Sequence, residues 1–167
     1  EELYNHGPHL GNLTFEIGDA GLARERSHGA DVSLRHTSGR VRAEANLYRY
    51  DIDDFVYLAP TGDVEDDLLV AHYRQGDTRY TGAEALLDLG LHPNLWVNLG
   101  MDFVDAQLKV SNTPLPRIPP LRGRLGVEAR WKGLAVKPEL VLAAGQHQIF
   151  STETRTPGYT VANLGAS

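Results

Sequence analysis

Residues 95–105, LWVNLGMDFVD, predict a strand with two chemically different faces. Side chains alternate between the two faces of a strand, so every second residue points the same way. One face then carries Leu95, Val97, Leu99, Met101 and Phe103. The other carries Trp96, Asn98, Gly100 and Asp102. The rest of the chain decides whether the apolar face meets a soluble core or lipid.

Composition restricts the class of protein. The chain has 167 residues, of which 41% are hydrophobic and 23% charged, as in an ordinary folded domain. No apolar run approaches the ~18 residues of a transmembrane helix, whereas a mean hydropathy of -0.33 is compatible with a membrane barrel, whose strands have one polar face. The net charge of -6 disfavours a nucleic-acid partner. The absence of cysteine excludes disulfides, and the first residues do not resemble a signal peptide.

Alternation and turn residues predict long strands joined by connections of two kinds. The predicted long strands are 25–37, 41–58, 69–91, 95–105, 121–131, 134–148 and 159–167, and residues 1–24 are predicted to form a loop with at most a short strand at 13–17. The short turns are 38–39, 92–94 and 132–133, and the long connections are 59–67, 106–120 and 150–158. Short turns at one rim and long loops at the other are typical of an antiparallel up-and-down transmembrane β-barrel. The chain is therefore predicted to be all-β, a fragment of about seven strands from a larger barrel.

The polar face of residues 121–131 supports this interpretation. It carries Arg122, Arg124, Glu128 and Arg130, which a dry core could hold only at a heavy desolvation cost. In a water-filled lumen these charged side chains would stay hydrated. The alternative is a soluble antiparallel β-sheet with one wet face, acting as a ligand-binding module.

Four pieces of the sequence are distinctive. They are QGDTRYTGAE at 75–84, PRIPPLR at 116–122, PGY at 157–159, and the spacing of Gly18, Asp19, Leu22, Glu25 and Ser27. In order and spacing they resemble the C-terminal part of the barrel of TonB-dependent outer-membrane receptors, over essentially all of residues 1–167. Ala20 departs from that family, which usually has Pro there. The resemblance implies one barrel segment without the plug domain, the energy-coupling box or the terminal strand.

The resemblance also implies a function and partners. Such a receptor takes up a metal ion or metal complex (a siderophore, haem or zinc) across the outer membrane of a Gram-negative bacterium. Its partners would be its own plug domain, the remaining barrel strands, the TonB energy-coupling protein and outer-membrane lipid, with no nucleic acid. Open sheet edges would favour self-association of an isolated fragment. No catalytic motif is present, so neither an enzyme nor a bound cofactor is expected.

Two groups of site residues are predicted. His6 and His9, in a predicted outward-facing loop, could bind a borderline metal such as Zn²⁺, with His72 and His147 at the same rim. The alternative is a pair of solvated loop histidines.

The second group would face the lumen and the plug. It comprises Glu84, Arg122, Arg124 and Glu128. The acidic residues of 51–54 and 63–67 would form an outer rim, which either attracts cations or only keeps the loops solvated.

Overall fold

In the computed structural model, residues 2–167 are described, and they form one sheet of nine strands. The strands are β1 His6–His9, β2 Thr14–Ile17, β3 Arg26–Ser38, β4 Val41–Glu65, β5 Leu68–His92, β6 Leu95–Leu108, β7 Arg122–Trp131, β8 Leu134–Ala143 and β9 Tyr159–Ala166. Across residues 2–167, no helix has the length and apolar character needed to cross a membrane. The predicted all-β fold is confirmed.

Strands β3 to β9 follow one another in sheet order and pair antiparallel, as the up-and-down prediction requires. Within residues 2–167, β3 and β9 do not pair with each other, so this sheet is open. The exception to the antiparallel prediction is β2, which pairs parallel to residues 69–72 at the start of β5. There is room for it because β6 pairs with β5 only as far as Leu108 opposite Thr78.

The predicted long loop at 59–67 is wrong, because most of it continues a strand. β4 runs to Glu65 and turns into β5 through Asp66 and Asp67, both in the left-handed region with φ of 50° and 61°. Two positive-φ residues are typical of a tight hairpin turn. Residues with poor strand propensity predict a loop, but pairing with β5 at residues 59–60 and 64–65 keeps the segment extended, with one register shift between Pro60 and Val64. Residues 63–67 of the predicted acidic rim therefore lie at a hairpin tip, whereas residues 51–54 lie within β4.

The apolar face remains uncovered in the part of the chain that the structure describes. Leu99 lies between Leu87 of β5 and Leu125 of β7, and register partners share a face. The Leu99 and Leu125 residues are 39% and 42% exposed. From Leu95 to Phe103 this face spans about 27 Å along the strand at ~3.4 Å per residue. With a strand tilt of ~40°, that gives roughly 20 Å of apolar height, near the ~25 Å of membrane barrels.

The buried core lies instead at the long-loop end, where β1 and β2 meet β5. Its apolar members are Phe15, Ala59, Val70, Ala71, Ala106 and Leu115, with Ala143 apart. Thr14, Glu16 and Thr78 are the buried polar residues among those described. The buried residues are therefore concentrated at the long-loop end of the sheet.

Tyrosine rings on the polar face lie across glycines of the neighbouring strands. Tyr48 pairs with Gly82 and Tyr50 with Gly29, and a Cβ on either glycine would overlap the facing ring. A ring covering a strand glycine compensates for the missing side chain. Because these glycines have no side chain, the two rings can lie flat against the sheet.

Substituting Gly82 by alanine is expected to lower the free energy of unfolding by about 1–3 kcal/mol, because the added methyl group must push Tyr48 off the sheet. The control is Gly126→Ala, since the nearest atom to its Cβ would be Asn98 Cβ at an ordinary 3.5 Å. Urea unfolding in phospholipid vesicles measures both. Equal effects would show that Tyr48 is not seated on Gly82.

Candidate functional site

A row of polar side chains crosses four strands on the polar face. Asn46 pairs with Glu84, Glu84 with Asp102, and Asp102 with Arg122. We call these residues the charged row. Because register partners point the same way, the row presents acidic groups on β5 and β6 beside a cation on β7. Glu84 and Arg122, both predicted to face the lumen, lie in this one row.

Ion pairs satisfy part of this face. Arg122 Nε donates to Asp102 Oδ2 at 2.8 Å within the row. In the neighbouring row, Arg35 Nη2 donates to Glu44 Oε1 at 3.0 Å. These pairs are solvent-exposed to different degrees, and such pairs contribute ~0–1 kcal/mol each. They orient side chains more than they stabilise the sheet.

Glu84 and Arg124 differ from their neighbours, since neither side chain has a hydrogen bond or ion pair within residues 2–167. Both residues are exposed. Arg124 passes over Gly100, where an added Cβ would lie 3.1 Å from Arg124 Nε. The two residues line an open cleft of about 190 Å³ together with Asp102 and Arg122. One unpaired anion and one unpaired cation are thus available to a partner.

Glu128 lies nearer the short-turn end, and its carboxylate is already engaged. It accepts from Arg130 Nε at 2.6 Å and lies 3.3 Å from Lys137 Nζ. Its position on the polar face matches the register of β7, but it is separate from the charged row. Three charged groups here form a local network with one net positive charge.

His6 and His9 lie on β1 and not in a loop, which corrects that part of the prediction. They are three residues apart on a strand and so point to opposite faces. The His6 ring packs edge-on against Phe15 with 5.4 Å between centroids, and His9 Nδ1 lies 3.3 Å from Glu16 Oε1. The structure does not bring the two imidazoles together. Among residues 2–167 no group of three His, Cys, Asp or Glu side chains is arranged to hold a metal ion.

Sequence reasoning missed the most enclosed charged group, Glu16, which is 1% exposed. Its carboxylate accepts from Asn12 Nδ2 at 2.8 Å, Thr14 Oγ1 at 3.0 Å and Tyr73 OH at 2.8 Å. Asn5 Nδ2 donates at 3.3 Å. Burial raises the pKa of Glu16, but these hydrogen bonds together with the nearby His9 outweigh it and leave the pKa below its ordinary value.

Asn12 lies in the turn between β1 and β2 and Thr14 begins β2, while Tyr73 comes from β5. A Glu in a short strand gives no sequence signal for such a distant donor.

Comparison with known proteins agrees with this architecture. Residues 1–167 match the family described as TonB dependent receptor-like, beta-barrel, and the chain belongs to that family. Its members are outer-membrane proteins of Gram-negative bacteria, and they are transport receptors and not enzymes. The predictions of family, localisation and non-enzymatic character are confirmed.

Several solved structures share the fold. The copper transporter OprC superposes with a TM-score of 0.78 at 19% identity, over 85% of this chain and 22% of OprC. A mutant of the ferric enterobactin receptor PfeA from Pseudomonas aeruginosa gives 0.65 at 16% identity, over 92% and 25%. The FrpB iron transporter from Neisseria meningitidis gives 0.64 at 13% identity, over 92% and 26%. This chain thus spans about a quarter of the length of these proteins.

Proposed function

We propose that this chain is the C-terminal segment of the barrel of an active-uptake receptor whose cargo is a metal ion or a metal complex such as a siderophore, haem or zinc. The observation that carries the proposal is the two-faced open sheet, with an uncovered apolar face opposite a charged row. Related structures whose names refer to copper, iron and ferric enterobactin favour a metal cargo. A soluble ligand-binding sheet is disfavoured, because it would leave Leu99 and Leu125 in water.

The polar face would line the lumen and meet the plug domain of the full receptor. Glu84 and Arg124 support this proposal because they are unpaired and exposed. Arg122 and Glu128 face the same way, although each already has an internal ion-pair partner. A plug segment carrying one cation and one anion would form ion pairs with Glu84 and Arg124. The TonB protein would then act on that plug with energy from the inner membrane.

The apolar face would meet outer-membrane lipid, and the open edges of β3 and β9 would pair with the remaining barrel strands. Unpaired strand edges are templates for further pairing, so an isolated chain would self-associate through them. Both proposals follow from what residues 2–167 leave open. The apolar face is not covered, and β3 and β9 each pair with a strand on one side only.

Cells that express the full-length receptor should accumulate radiolabelled metal, and a protonophore should abolish the accumulation while leaving surface binding intact. The reason is that transport needs inner-membrane energy whereas binding does not. Zinc chloride, copper chloride and ferric enterobactin are the probes, and cells without the receptor are the control. Binding without energy-dependent accumulation for every probe would contradict the proposal.

His6 and His9 stay as proposed metal ligands, but each would act singly because they lie on opposite faces of β1. In the same assay, the His6→Ala and His9→Ala variants should therefore weaken zinc binding independently, with additive effects in the double variant. His36→Ala, on the apolar face of β3, is the matched control. Unchanged zinc affinity in the double variant would remove both histidines from the site.

A further inference from the structure

The apolar face changes character at one level of the sheet. Its last apolar row across β3 to β6 consists of the register partners Val32, Leu47, Ala83 and Phe103. The next row on the same face consists of Ala30, Arg49, Thr81 and Asp105. The row beyond that consists of His28, Asp51, Arg79 and Gln107. Because the four strands change together, this level marks one edge of the apolar band.

The two polar rows lie at the height of lipid head groups when the apolar band lies in hydrocarbon. Each row is two residues beyond the one before it, about 7 Å along the strand at ~3.4 Å per residue. With a strand tilt of ~40°, the Arg49 row lies roughly 5 Å beyond the last apolar row and the Arg79 row roughly 10 Å beyond it. The head-group layer on each side of a bilayer is about 5–8 Å thick. Both arginines can reach this layer, because a long side chain can lay its apolar stem along the sheet.

Three cations lie close to Asp51 at this height. Arg79 Nε donates to Asp51 Oδ1 at 3.2 Å, and Arg49 Nε lies 3.8 Å from Asp51 Oδ2. Lys109 Nζ lies 3.8 Å from Asp51 Oδ1 and donates to Asp53 Oδ1 at 3.2 Å. We call these five residues the cation cluster. Three cations share two carboxylates, so the cluster has one net positive charge.

Arg49 is the most available cation of the cluster. Its side chain is 58% exposed, against 39% for Arg79 and 26% for Lys109. Its one ion-pair partner within residues 2–167 is Asp51, at a distance beyond that of a hydrogen bond. The N–H donors of the Arg49 guanidinium are therefore free for an acceptor from outside the chain.

The neighbouring charges on this face leave the positive excess at β3 and β4. Asp105 lies two strand spacings from Arg49, which is about 10 Å. Asp77 Oδ1 accepts a backbone N–H of β4 at 3.2 Å. On the other side of Arg49, β3 adds Arg26 and His28. An anion that approaches from the β3 and β4 side thus meets cations first.

We propose that the cation cluster binds the phosphate groups of anionic lipids, with Arg49 as the main contact. Guanidinium groups suit this partner, because their planar N–H donors pair with phosphate oxygens. The charge is complementary, and the cluster directly continues the apolar band, so the lipid whose chains cover the band places its head group here. The inference rests on the proposed function in taking the apolar face as the lipid contact. It goes further in assigning a head-group chemistry and the residues that bind it.

Retention of anionic lipid tests the cluster without knowledge of the cargo. The full-length receptor is reconstituted in vesicles of equal phosphatidylcholine and phosphatidylglycerol and extracted in mild detergent, and native mass spectrometry counts the lipids that stay bound. The parent should retain phosphatidylglycerol in preference to phosphatidylcholine. Arg49→Gln combined with Arg79→Gln should lower this preference several-fold, because each cation near an anionic lipid surface contributes roughly five-fold. Arg74→Gln removes an exposed arginine from the opposite face of β5 and should leave the preference unchanged.

Asp51→Asn separates recognition of charge from a structural role. Without this carboxylate the three cations lose their shared counter-charge, so the preference for phosphatidylglycerol should rise. A lower preference in Asp51→Asn, or an unchanged one in the double arginine variant, would overturn the phosphate contact. Insertion into the vesicles distinguishes the two proposals. A receptor that inserts but retains both lipids equally would refute only the phosphate contact, whereas a receptor that does not insert would contradict the proposed function.

Discussion

Replacing Glu16 with alanine is expected to lower the free energy of unfolding of the long-loop end by about 3–5 kcal/mol, because removing one partner of a buried polar network leaves the others unsatisfied. The donors that would lose their bond to Glu16 are the hydroxyls of Thr14 and Tyr73 and the amides of Asn5 and Asn12. Each unsatisfied buried group costs about 1–3 kcal/mol, partly recovered if water enters.

The site of the loss is local. Glu16 joins β1–β2 to β5 through Tyr73, and β2 has only four register pairs with β5. Hydrogen exchange should therefore show lost protection in residues 6–17 and 69–73, while β6 to β8 keep theirs. Glu16→Gln keeps the shape and one acceptor, so a smaller loss of about 1–3 kcal/mol is expected. Glu65→Gln, at the exposed hairpin tip, is the control and should change nothing.

Acid should have the same local effect in the wild type. The pKa of Glu16 is lower in the folded state, so its stabilising contribution is complete above the unfolded value of about 4.3 and is lost as pH falls through the lower folded value. Glu16→Gln removes this dependence. A wild type that keeps full protection of β1 and β2 in strong acid, or a Glu16→Ala variant as stable as Glu65→Gln, would contradict the role given to this carboxylate.

The parts of the fold that the sequence predicts are those set by local pattern. Alternation in residues 95–105 requires only that a strand has two faces, and the observed β6 begins at the predicted residue. The turn at 132–133 is likewise found where Lys and Gly predicted it, with both residues at positive φ. Periodicity is sufficient to predict a strand or a turn that depends only on residues close together in the sequence.

The errors share a different cause, which is contact between distant residues. Val64 and Glu65 lie in a strand because β5 pairs with them, although the acidic residues around them favour a loop. β2 pairs parallel to β5 across more than fifty residues, and no periodicity reports such a partner. Glu84 is a register partner of Asp102 and so shares its face. That it lacks an ion-pair partner, while Asp102 has one, depends on side-chain geometry across two strands.

Replacing Leu99 with arginine should destabilise the full-length receptor in phospholipid vesicles by about 2–4 kcal/mol, whereas Leu86→Arg should be tolerated. The two residues are a matched pair: both are leucines on adjacent strands, and they are 39% and 48% exposed. They differ in face, because Leu99 pairs with Leu87 while Leu86 pairs with Gly100.

A charge at the middle of a lipid-facing band must be brought into hydrocarbon, while a charge on the polar face meets water and the neighbouring carboxylates Glu84 and Glu44. Leu99 is midway between Leu95 and Phe103, so the cost should be largest there and fall at either end of the band. Urea midpoints of both variants measure the difference. Equal losses would mean that the apolar side chains of β6 do not face lipid, and a larger loss for Leu86→Arg would mean that the two faces have been exchanged.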